Sequence, residues 1–287
     1  MVIDTHYHPT LFRQVCPNEE VAEKRRKDLG YYKYPIIDPP LLKSMLRSSG
    51  VDACFLLPHD YRSSGGDYIS NQAVKEIADV APDMFFPFAS VDPNLPDAPH
   101  DLEVAFGQLH LRGLKLHLGR LKLYPNDPKV GSLLDICQAY NKPVIFHAGQ
   151  SWQPASEMTY TMPIHFEPII KDYPTLRICL AHMGFPWIRE TLTLLSKYPN
   201  CYTDTALLYF DSAREFYEHI FTHEIPLTWY ERSLRHQILF GSNMPRWEQM
   251  RMLDAIRKVG FRQDTLDLFL HTNALEFLGE EEVKWLS

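Results

Sequence analysis

The feature that most constrains the fold is a repeated alternation of short apolar segments with longer segments of helical spacing. Each apolar segment has the length of a strand, is rich in Val, Ile, Phe or Cys, and shows little alternation of polar and apolar residues. Such strands are typical of a parallel sheet that is covered on both faces. The segments are Val2–Asp4, Ala53–Leu57, Phe85–Ser90, Gly113–Leu118, Pro143–His147, Arg177–His182, Cys201–Asp204 and Gln237–Gly241.

Eight strands separated by helices within 287 residues have the proportions of a (β/α)₈ barrel, which usually occupies about 250 residues. An open, doubly wound sheet is the alternative, but it usually has fewer strands, and no GxGxxG turn follows the first strand here. The sequence therefore predicts an α/β protein, a TIM barrel built as a single domain over residues 1–287.

Two connections are longer than a barrel needs. Residues 10–40 contain the charged stretch Glu19–Asp28, and residues 150–168 are rich in Trp, Pro, Met and aromatic side chains. They follow the first and fifth predicted strands, so we expect both at the carboxyl-end rim of the barrel. Because long loops in compact domains are more often functional than idle, we expect lid-like insertions at both places.

Histidines stand at the ends of several predicted strands. The first strand ends in Asp4-Thr5-His6-Tyr7-His8, and alternation along a strand predicts that Asp4, His6 and His8 share one face. Three further strands also end in histidine: His117, His147 and His182. Packing alone gives no reason to bury several imidazoles at one end of a barrel, so this pattern predicts a metal site.

Composition excludes several classes of partner. The chain has 29 Lys and Arg against 36 Asp and Glu, a net charge of −7, which argues against nucleic-acid binding. Its apolar runs fall short of the roughly 18–20 residues of a membrane span, and the N-terminus turns polar too early for a signal peptide. Five cysteines without a CxxC pair favour free thiols. We therefore expect a cytoplasmic protein with no membrane partner.

Six motifs resemble, in order and spacing, those of the amidohydrolase superfamily. The similarity is to its amidohydrolase-related branch, which holds metal-dependent TIM-barrel hydrolases and decarboxylases related to aminocarboxymuconate-semialdehyde decarboxylase. The motifs are IDTHYH at Ile3–His8, GLKLHLG at Gly113–Gly119, PVIFHAG at Pro143–Gly149, LAHMGFPW at Leu180–Trp187, YTDTA at Tyr202–Ala206 and LFGSNMP at Leu239–Pro245.

The resemblance implies one divalent metal ion held by His6, His8 and His147, with His182 beside the substrate. Zinc is the first expectation for an imidazole-rich site, and manganese is the second. The family's eighth strand normally ends in GSDxP, whose Asp binds the metal and carries the proton of the attacking water. Here that position is Asn243, which offers an amide oxygen to a metal but accepts no proton near neutral pH. Asn243 and His182 are therefore the expected catalytic positions.

Two interpretations of Asn243 remain open. One is an engineered Asp→Asn variant with slow turnover, and the other is a natural member whose proton transfer has moved elsewhere, for example to His182. The resemblance implies a hydrolase that attacks a small carboxylate-bearing lactone, amide or related bond through a metal-activated water. The alternative is a non-oxidative decarboxylase of an aromatic or unsaturated carboxylic acid. A third interpretation is a metal-binding relic without activity.

Substrate contacts are expected from several basic residues and one aromatic residue. Lys115 and His117 share a face of the fourth predicted strand, and we expect Lys115 beside a single metal rather than bridging two as a carboxylated lysine. Guanidinium groups bind carboxylates through paired hydrogen bonds, so basic rim loops indicate a small anionic organic substrate. The expected rim contacts are Arg62, Arg120, Arg246 and Trp152. Because relatives often assemble, we also expect a homo-oligomer.

Overall fold

The computed structural model describes residues 1–31, 34–209 and 212–280. Residues 32 and 33 of the first predicted insertion, and residues 210, 211 and 281–287 of the predicted domain, lie outside the described residues. Each predicted apolar segment contains or overlaps a strand. The strands are β1 (Ile3–Tyr7), β2 (Ala53–Leu56), β3 (Phe85–Pro87), β4 (Leu114–Leu116), β5 (Val144–Phe146), β6 (Ile178–Leu180), β7 (Cys201–Asp204) and β8 (Ile238–Leu239).

Helices fill the connections between the strands. The α-helices in the described part of the chain are α1 (Glu19–Leu29), α2 (Pro39–Ser49), α3 (Asn71–Val80), α4 (Ala98–Gly107), α5 (Leu118–Leu121), α6 (Pro128–Ala139), α7 (Glu167–Asp172), α8 (Ile188–Lys197), α9 (Ala213–Glu218), α10 (Leu227–Arg232), α11 (Gln249–Arg257), α12 (Gln263–Asp267) and α13 (Asn273–Leu278). Short 3₁₀ turns occur at Pro9–Leu11, Arg62–Ser64, Met158–Tyr160, Pro163–Phe166 and Ala181–Gly184, and π-helical turns at His219–Glu224 and Leu268–Thr272.

Local sequence explains where these helices begin, end and pack. The side chain of Asn18 caps the start of α1 by accepting a hydrogen bond from the backbone N–H of Val21 (3.0 Å), and Gly30 ends the helix with a φ of +66°. On α8, the buried positions Ile188, Leu192 and Leu195 recur at helical spacing. Such stripes cover the outer face of the sheet.

The strands close into a ring. All strand pairs are parallel, and they form two hydrogen-bonded sets, β1–β2–β3 and β4–β5–β6–β7–β8. Backbone hydrogen bonds cross both seams: the N–H of Lys115 donates to Ala89 (2.8 Å), and the N–H of Thr5 donates to Phe240 (2.8 Å). These contacts join the two sets into the parallel ring of the predicted (β/α)₈ barrel.

One layer of the barrel interior holds a lysine among apolar side chains. Ile145 of β5 and Cys179 of β6 are fully buried there, in strand register with Lys115 of β4. Phe277 of α13 packs on Tyr202 of β7, with ring centroids 5.1 Å apart, so side chains fill the interior near that helix. Lys115 is thus a cation inside an otherwise apolar layer.

The five cysteines agree with the prediction of free thiols. All five cysteines are buried and none forms a disulfide, as predicted. In the described part of the chain, none of the helices combines the length and the hydropathy needed to cross a lipid bilayer.

Candidate metal centre

A pocket lies at the carboxyl ends of the strands. It brings together residues that follow β1, β4, β5, β6 and β8: His8, His117, His147, His182 and Asn243. Parallel strands in a barrel present their carboxyl ends at one face, which explains why residues far apart in the sequence line one cavity.

Five imidazoles form a continuous row at this face. Ring centroids are separated by 5.0 Å for His8 and His6, and by 4.6 Å for His6 and His182. The row continues with 4.6 Å between His182 and His147, and with 3.8 Å between the stacked rings of His147 and His117. The histidines singled out in the sequence are therefore neighbours in space.

A register irregularity in β1 points the side chains of Asp4 and His6 in different directions. The pairing register with β2 shifts between Asp4 and Tyr7, and such a shift interrupts the alternation of side chains. The carboxylate of Asp4 accepts hydrogen bonds from Ser242 Oγ (2.5 Å) and from Gln249 Nε2 (2.7 Å) of α11, whereas His6 joins the imidazole row. The expectation that Asp4 shares a face with the histidines is wrong because alternation holds only along a regular strand.

Asp204, at the end of β7, fixes the orientation of His6. His6 Nδ1 donates to Asp204 Oδ2 over 2.7 Å, and both side chains are fully buried. The other oxygen, Oδ1, accepts from the backbone N–H groups of His182 (2.7 Å) and Ala206 (3.1 Å). Because the carboxylate accepts the hydrogen bond from Nδ1–H, the lone pair of a neutral His6 is on Nε2.

The hydrogen bonds of His182 and His147 define the tautomers of both rings. His182 Nδ1 donates to the carbonyl oxygen of Ala206 (2.6 Å), so Nε2 of the neutral ring is an acceptor. That atom lies 3.0 Å from His147 Nδ1, which must therefore carry the proton. The lone pair of His147 is consequently on its Nε2.

The same reasoning applies to His8. Its Nδ1 donates to the carbonyl oxygen of Leu57 over 2.8 Å, which leaves the lone pair on Nε2. Burial, followed by the positive charge of nearby groups, lowers the pKa of His6, His8 and His147 well below the usual value. The three rings are therefore neutral near pH 7, which is the form that binds metals.

Two of these lone pairs have no hydrogen-bond partner in the described part of the chain. Nε2 of His6 and Nε2 of His147 are buried and make no hydrogen bond to any described residue. His6, His182 and Asp204 also place one ligand-type atom each within 4.8 Å of one another. Because His6 Nδ1 and Asp204 are already hydrogen-bonded, we interpret Asp204 as the residue that orients His6, and Nε2 of His6 as the atom left for a ligand.

Asn243 lies half-buried in the pocket wall. Its φ of +65° is a left-handed conformation that Asn tolerates better than most residues. Its backbone N–H donates to the carbonyl of His6 (2.9 Å), which holds the end of β8 against β1. None of the described residues that line the pocket is Asp or Glu.

Lys115 and His117 also face the pocket, as their shared strand face predicts. Lys115 is 4 % exposed, and its Nζ has no hydrogen-bond partner among the described residues; burial lowers its pKa to about 8. His117 Nε2 lies 3.3 Å from Ser151 Oγ, while its buried Nδ1 is also without a partner.

Two of the predicted substrate arginines hold the end of α1. The guanidinium of Arg120 donates to both oxygens of Asp28 (3.1 and 3.2 Å). Arg246 donates to the carbonyl oxygens of Leu29 (2.6 Å) and Gly30 (2.8 Å), and it also lines the pocket. Both arginines thus fasten the first insertion to the rim of the barrel.

The other two predicted contacts differ in position. Arg62 lies outside this pocket, where it pairs with Asp60 (2.7 Å) and lies over the ring of Tyr68 (4.9 Å). Trp152 lines the pocket, is 44 % exposed, and stacks on Tyr209 with ring centroids 5.4 Å apart.

Sequence reasoning missed a buried network after β2. His59 lines the pocket, stacks on Tyr61 (4.8 Å), and has Nε2 at 3.0 Å from Asp67. Arg25 of α1 binds the same carboxylate (2.6 Å). The signal that could have identified His59 is its position directly after a barrel strand, the criterion that identified the other histidines.

Solved structures with the same fold extend over nearly the whole chain. An uncharacterized TIM-barrel protein from Bordetella bronchiseptica is 20 % identical, with a TM-score of 0.74 over 97 % of this chain and 98 % of that one. A dihydroxybenzoic acid decarboxylase from Polaromonas sp. JS666, with bound manganese and 2-nitroresorcinol, is 16 % identical, with a TM-score of 0.66 over 99 % and 98 %. The 4-oxalomesaconate hydratase from Rhodopseudomonas palustris is 14 % identical, with a TM-score of 0.66 over 97 % and 96 %.

Sequence comparison identifies the family directly. No curated protein sequence is significantly similar to the chain. The amidohydrolase family profile, however, matches residues 3–279, which contain the whole barrel and every residue of the site described above. The chain therefore belongs to the amidohydrolase family.

Proposed function

We propose that this protein is a metal-dependent enzyme that binds one divalent cation through His6, His8 and His147 and acts on a small carboxylate-bearing substrate. The observation that carries the proposal is the pair of buried Nε2 atoms on His6 and His147, neither of which has a hydrogen-bond partner among the residues that the structure describes. A buried acceptor without a partner costs about 1–3 kcal/mol, and a metal ion at this position removes that cost.

The donor set fits the proposed cation. Each of the three imidazoles has its Nδ1 proton held by an oxygen or nitrogen acceptor and its Nε2 free for a ligand, the arrangement usual for metal-binding histidines. Asn243 adds an amide oxygen beside them in the pocket wall. Imidazole-rich sites favour zinc first, and manganese is the second candidate.

We propose hydrolysis as the reaction. A divalent cation bound here would supply Lewis acidity and lower the pKa of a water molecule toward about 7. The protein must then accept a proton, and the described pocket lining offers imidazoles but no carboxylate. His182 is the proposed proton acceptor, since Ala206 fixes its ring with Nε2 unprotonated; a proton taken up there would replace the hydrogen bond that this atom now accepts from His147 Nδ1.

A second candidate is a decarboxylase, and the solved neighbours favour it. The Polaromonas protein is named as a decarboxylase of a dihydroxybenzoic acid, and it has the same fold. Decarboxylation of a ring acid requires an acid that protonates carbon, whereas the described pocket lining contains bases with depressed pKa values. Hydrolysis therefore remains the first proposal.

Metal analysis of variants tests the ligand set. Purified wild-type protein is expected to hold one zinc or manganese ion per chain, and His6→Ala and His147→Ala are expected to lose it. His100→Ala, an exposed histidine on α4, is the matched control and should keep the metal. Full metal content in both ligand variants would refute the proposed site.

Product analysis separates the two reactions. The protein is incubated with small lactones, amides and hydroxybenzoates, and the release of CO₂ is measured beside the release of a new carboxylic acid. Formation of the acid without CO₂ supports hydrolysis. Release of CO₂ that depends on the metal would replace hydrolysis by decarboxylation.

We also propose that the first insertion covers the substrate. The contacts of Arg120 and Arg246 hold the end of helix α1 over the pocket. The second insertion contributes Trp152 to the same cavity. Both segments would exclude water from the bound substrate.

A further inference from the structure

The unpartnered ammonium group of Lys115 requires an explanation beyond the proposed ligand set. The side chain lies inside the barrel layer formed by Ile145 and Cys179, and its nitrogen has no hydrogen-bond partner in the described chain. No ion pair within 4.0 Å is found for it among the described residues. Burying a cation in this way is costly unless an anion binds to it.

The nearest carboxylate is not available to fill that role. Asp204 attracts Lys115 electrostatically. Its two oxygens, however, already accept hydrogen bonds from His6 Nδ1 and from the backbone N–H groups of His182 and Ala206. Within the described chain no carboxylate bonds directly to the ammonium, so a carboxylate that does so must come from a ligand.

Lys115 also lies within electrostatic range of every proposed metal ligand. Its charge contributes to the lowered pKa of His6, His8 and His147. A divalent cation on those rings would face a second positive charge in a poorly solvated cavity. Since none of the described lining residues is acidic, an anion from solution is needed between the two cations.

A second donor points into the same cavity. His117 is two residues after Lys115, lines the pocket, and has a buried Nδ1 without a described partner. Ser151 Oγ lies 3.3 Å from its other nitrogen; when the hydroxyl donates there, the ring proton is on Nδ1, and this is the tautomer that can donate to an anion. Lys115 and His117 together present two donors to an oxyanion.

We propose that Lys115 and His117 form an anion site for the substrate carboxylate, and that this site couples carboxylate binding to metal binding. The proposal rests on the proposed function for its metal half. It assigns carboxylate recognition to this pair, whereas Arg62, Arg120 and Arg246 are engaged with other parts of the protein. Thermodynamic linkage makes this coupling reciprocal: the bound carboxylate raises the affinity for the metal by the same factor as the bound metal raises the affinity for the carboxylate.

The test uses benzoate as the anion and Mn²⁺ as the metal. Free Mn²⁺ is counted by electron paramagnetic resonance in titrations of the whole protein with and without benzoate. In the wild type, benzoate is expected to tighten Mn²⁺ binding by about five-fold or more, the lower range of common coupling factors. In Lys115→Met, Mn²⁺ should bind more tightly than in the wild type, and benzoate should have no effect.

Arg62→Met is the matched control, because it removes a cation outside the pocket. It should retain the full effect of benzoate. Lys115→Met should also raise the melting temperature, since it removes an unpaired buried charge; this confirms folding independently of ligands. A benzoate effect that persists in Lys115→Met would overturn the proposal.

A metal-free arm keeps this inference separate from the proposed function. Benzoate binding to metal-free protein is measured by calorimetry, and it should be weakened in Lys115→Met and unchanged in Arg62→Met. Absence of Mn²⁺ binding with Lys115-dependent benzoate binding would refute the metal site alone. Intact-mass detection of a carboxyl group on Lys115 would overturn the anion site, because a carboxylated lysine is itself anionic.

Discussion

Replacing Asp204 with Asn tests how the protein prepares His6 for a ligand. The carboxylate accepts three hydrogen bonds, and the Asn side chain keeps the two backbone donors by placing its oxygen toward His182 and Ala206. Its NH₂ group then faces His6 Nδ1, where the carboxylate oxygen was 2.7 Å away. Two donors cannot pair, so His6 is expected to move its proton to Nε2.

The Asp204→Asn change should lower both the free energy of unfolding and the affinity for the metal. One buried, charge-assisted hydrogen bond is replaced by a neutral one from the Asn NH₂ group to Nδ1, which should lower the free energy of unfolding by about 1–1.5 kcal/mol. The proton on Nε2 of His6 competes with the metal, and loss of such an orienting partner typically weakens metal binding about 10–100-fold. That factor corresponds to about 1.4–2.7 kcal/mol of binding free energy.

The assay combines urea unfolding with metal titration, and Asp92→Asn is the matched control. Asp92 is also fully buried and accepts backbone hydrogen bonds from Ser63 (2.7 Å) and Asn94 (3.0 Å). It lies outside the imidazole row, so the control should lose stability but keep metal affinity. If Asp204→Asn is folded and binds metal as tightly as the wild type, the tautomer argument is refuted.

Three further changes give independent checks. Asn243→Asp adds a carboxylate to a pocket lining without one, and turnover on a bound substrate should rise about 10²-fold or more; no gain would show that position 243 is not the proton site. Although burial raises the pKa of Asp67, the hydrogen bond and charge of His59 and then of Arg25 hold it at about 2, below the usual 3.9. A carboxyl group with a lowered pKa contributes stability that is fully present above pH 4 and is lost as the pH falls toward 2. The wild type should therefore be more stable than Asp67→Asn by about 2 kcal/mol near neutral pH, and urea titrations should show this advantage vanishing between pH 4 and pH 2. An advantage that persists at pH 2 would contradict this. Arg120→Met removes the contact with Asp28 and should speed amide hydrogen exchange in α1 without changing metal content, whereas unchanged exchange would show that Arg120 does not fasten the helix.

The sequence predicts the barrel and the set of converging histidines because both depend on local, repeated patterns. An apolar strand that ends in histidine is visible in the sequence, and parallel strands of a barrel bring such ends to one face. This reasoning places His147 and His182 in one pocket without any structural information. The family profile confirms the resemblance that the motifs indicated.

The sequence does not predict contacts that depend on irregular geometry or on partners remote in the chain. The direction of the Asp4 side chain depends on a register shift in β1, and no pattern in the sequence predicts that shift. Arg246 contacts the carbonyls of Leu29 and Gly30, residues more than two hundred positions away in the sequence. A guanidinium in a rim loop looks the same in a sequence whether it binds a substrate or fastens a helix.

Locating the metal ion by anomalous diffraction tests the central proposal most directly. Crystals grown with Zn²⁺ are measured on both sides of the zinc absorption edge. The account predicts one anomalous peak per chain, within bonding distance of Nε2 of His6, His8 and His147. A map without that peak, or with the metal bound elsewhere while these three nitrogens contact only protein, would contradict it.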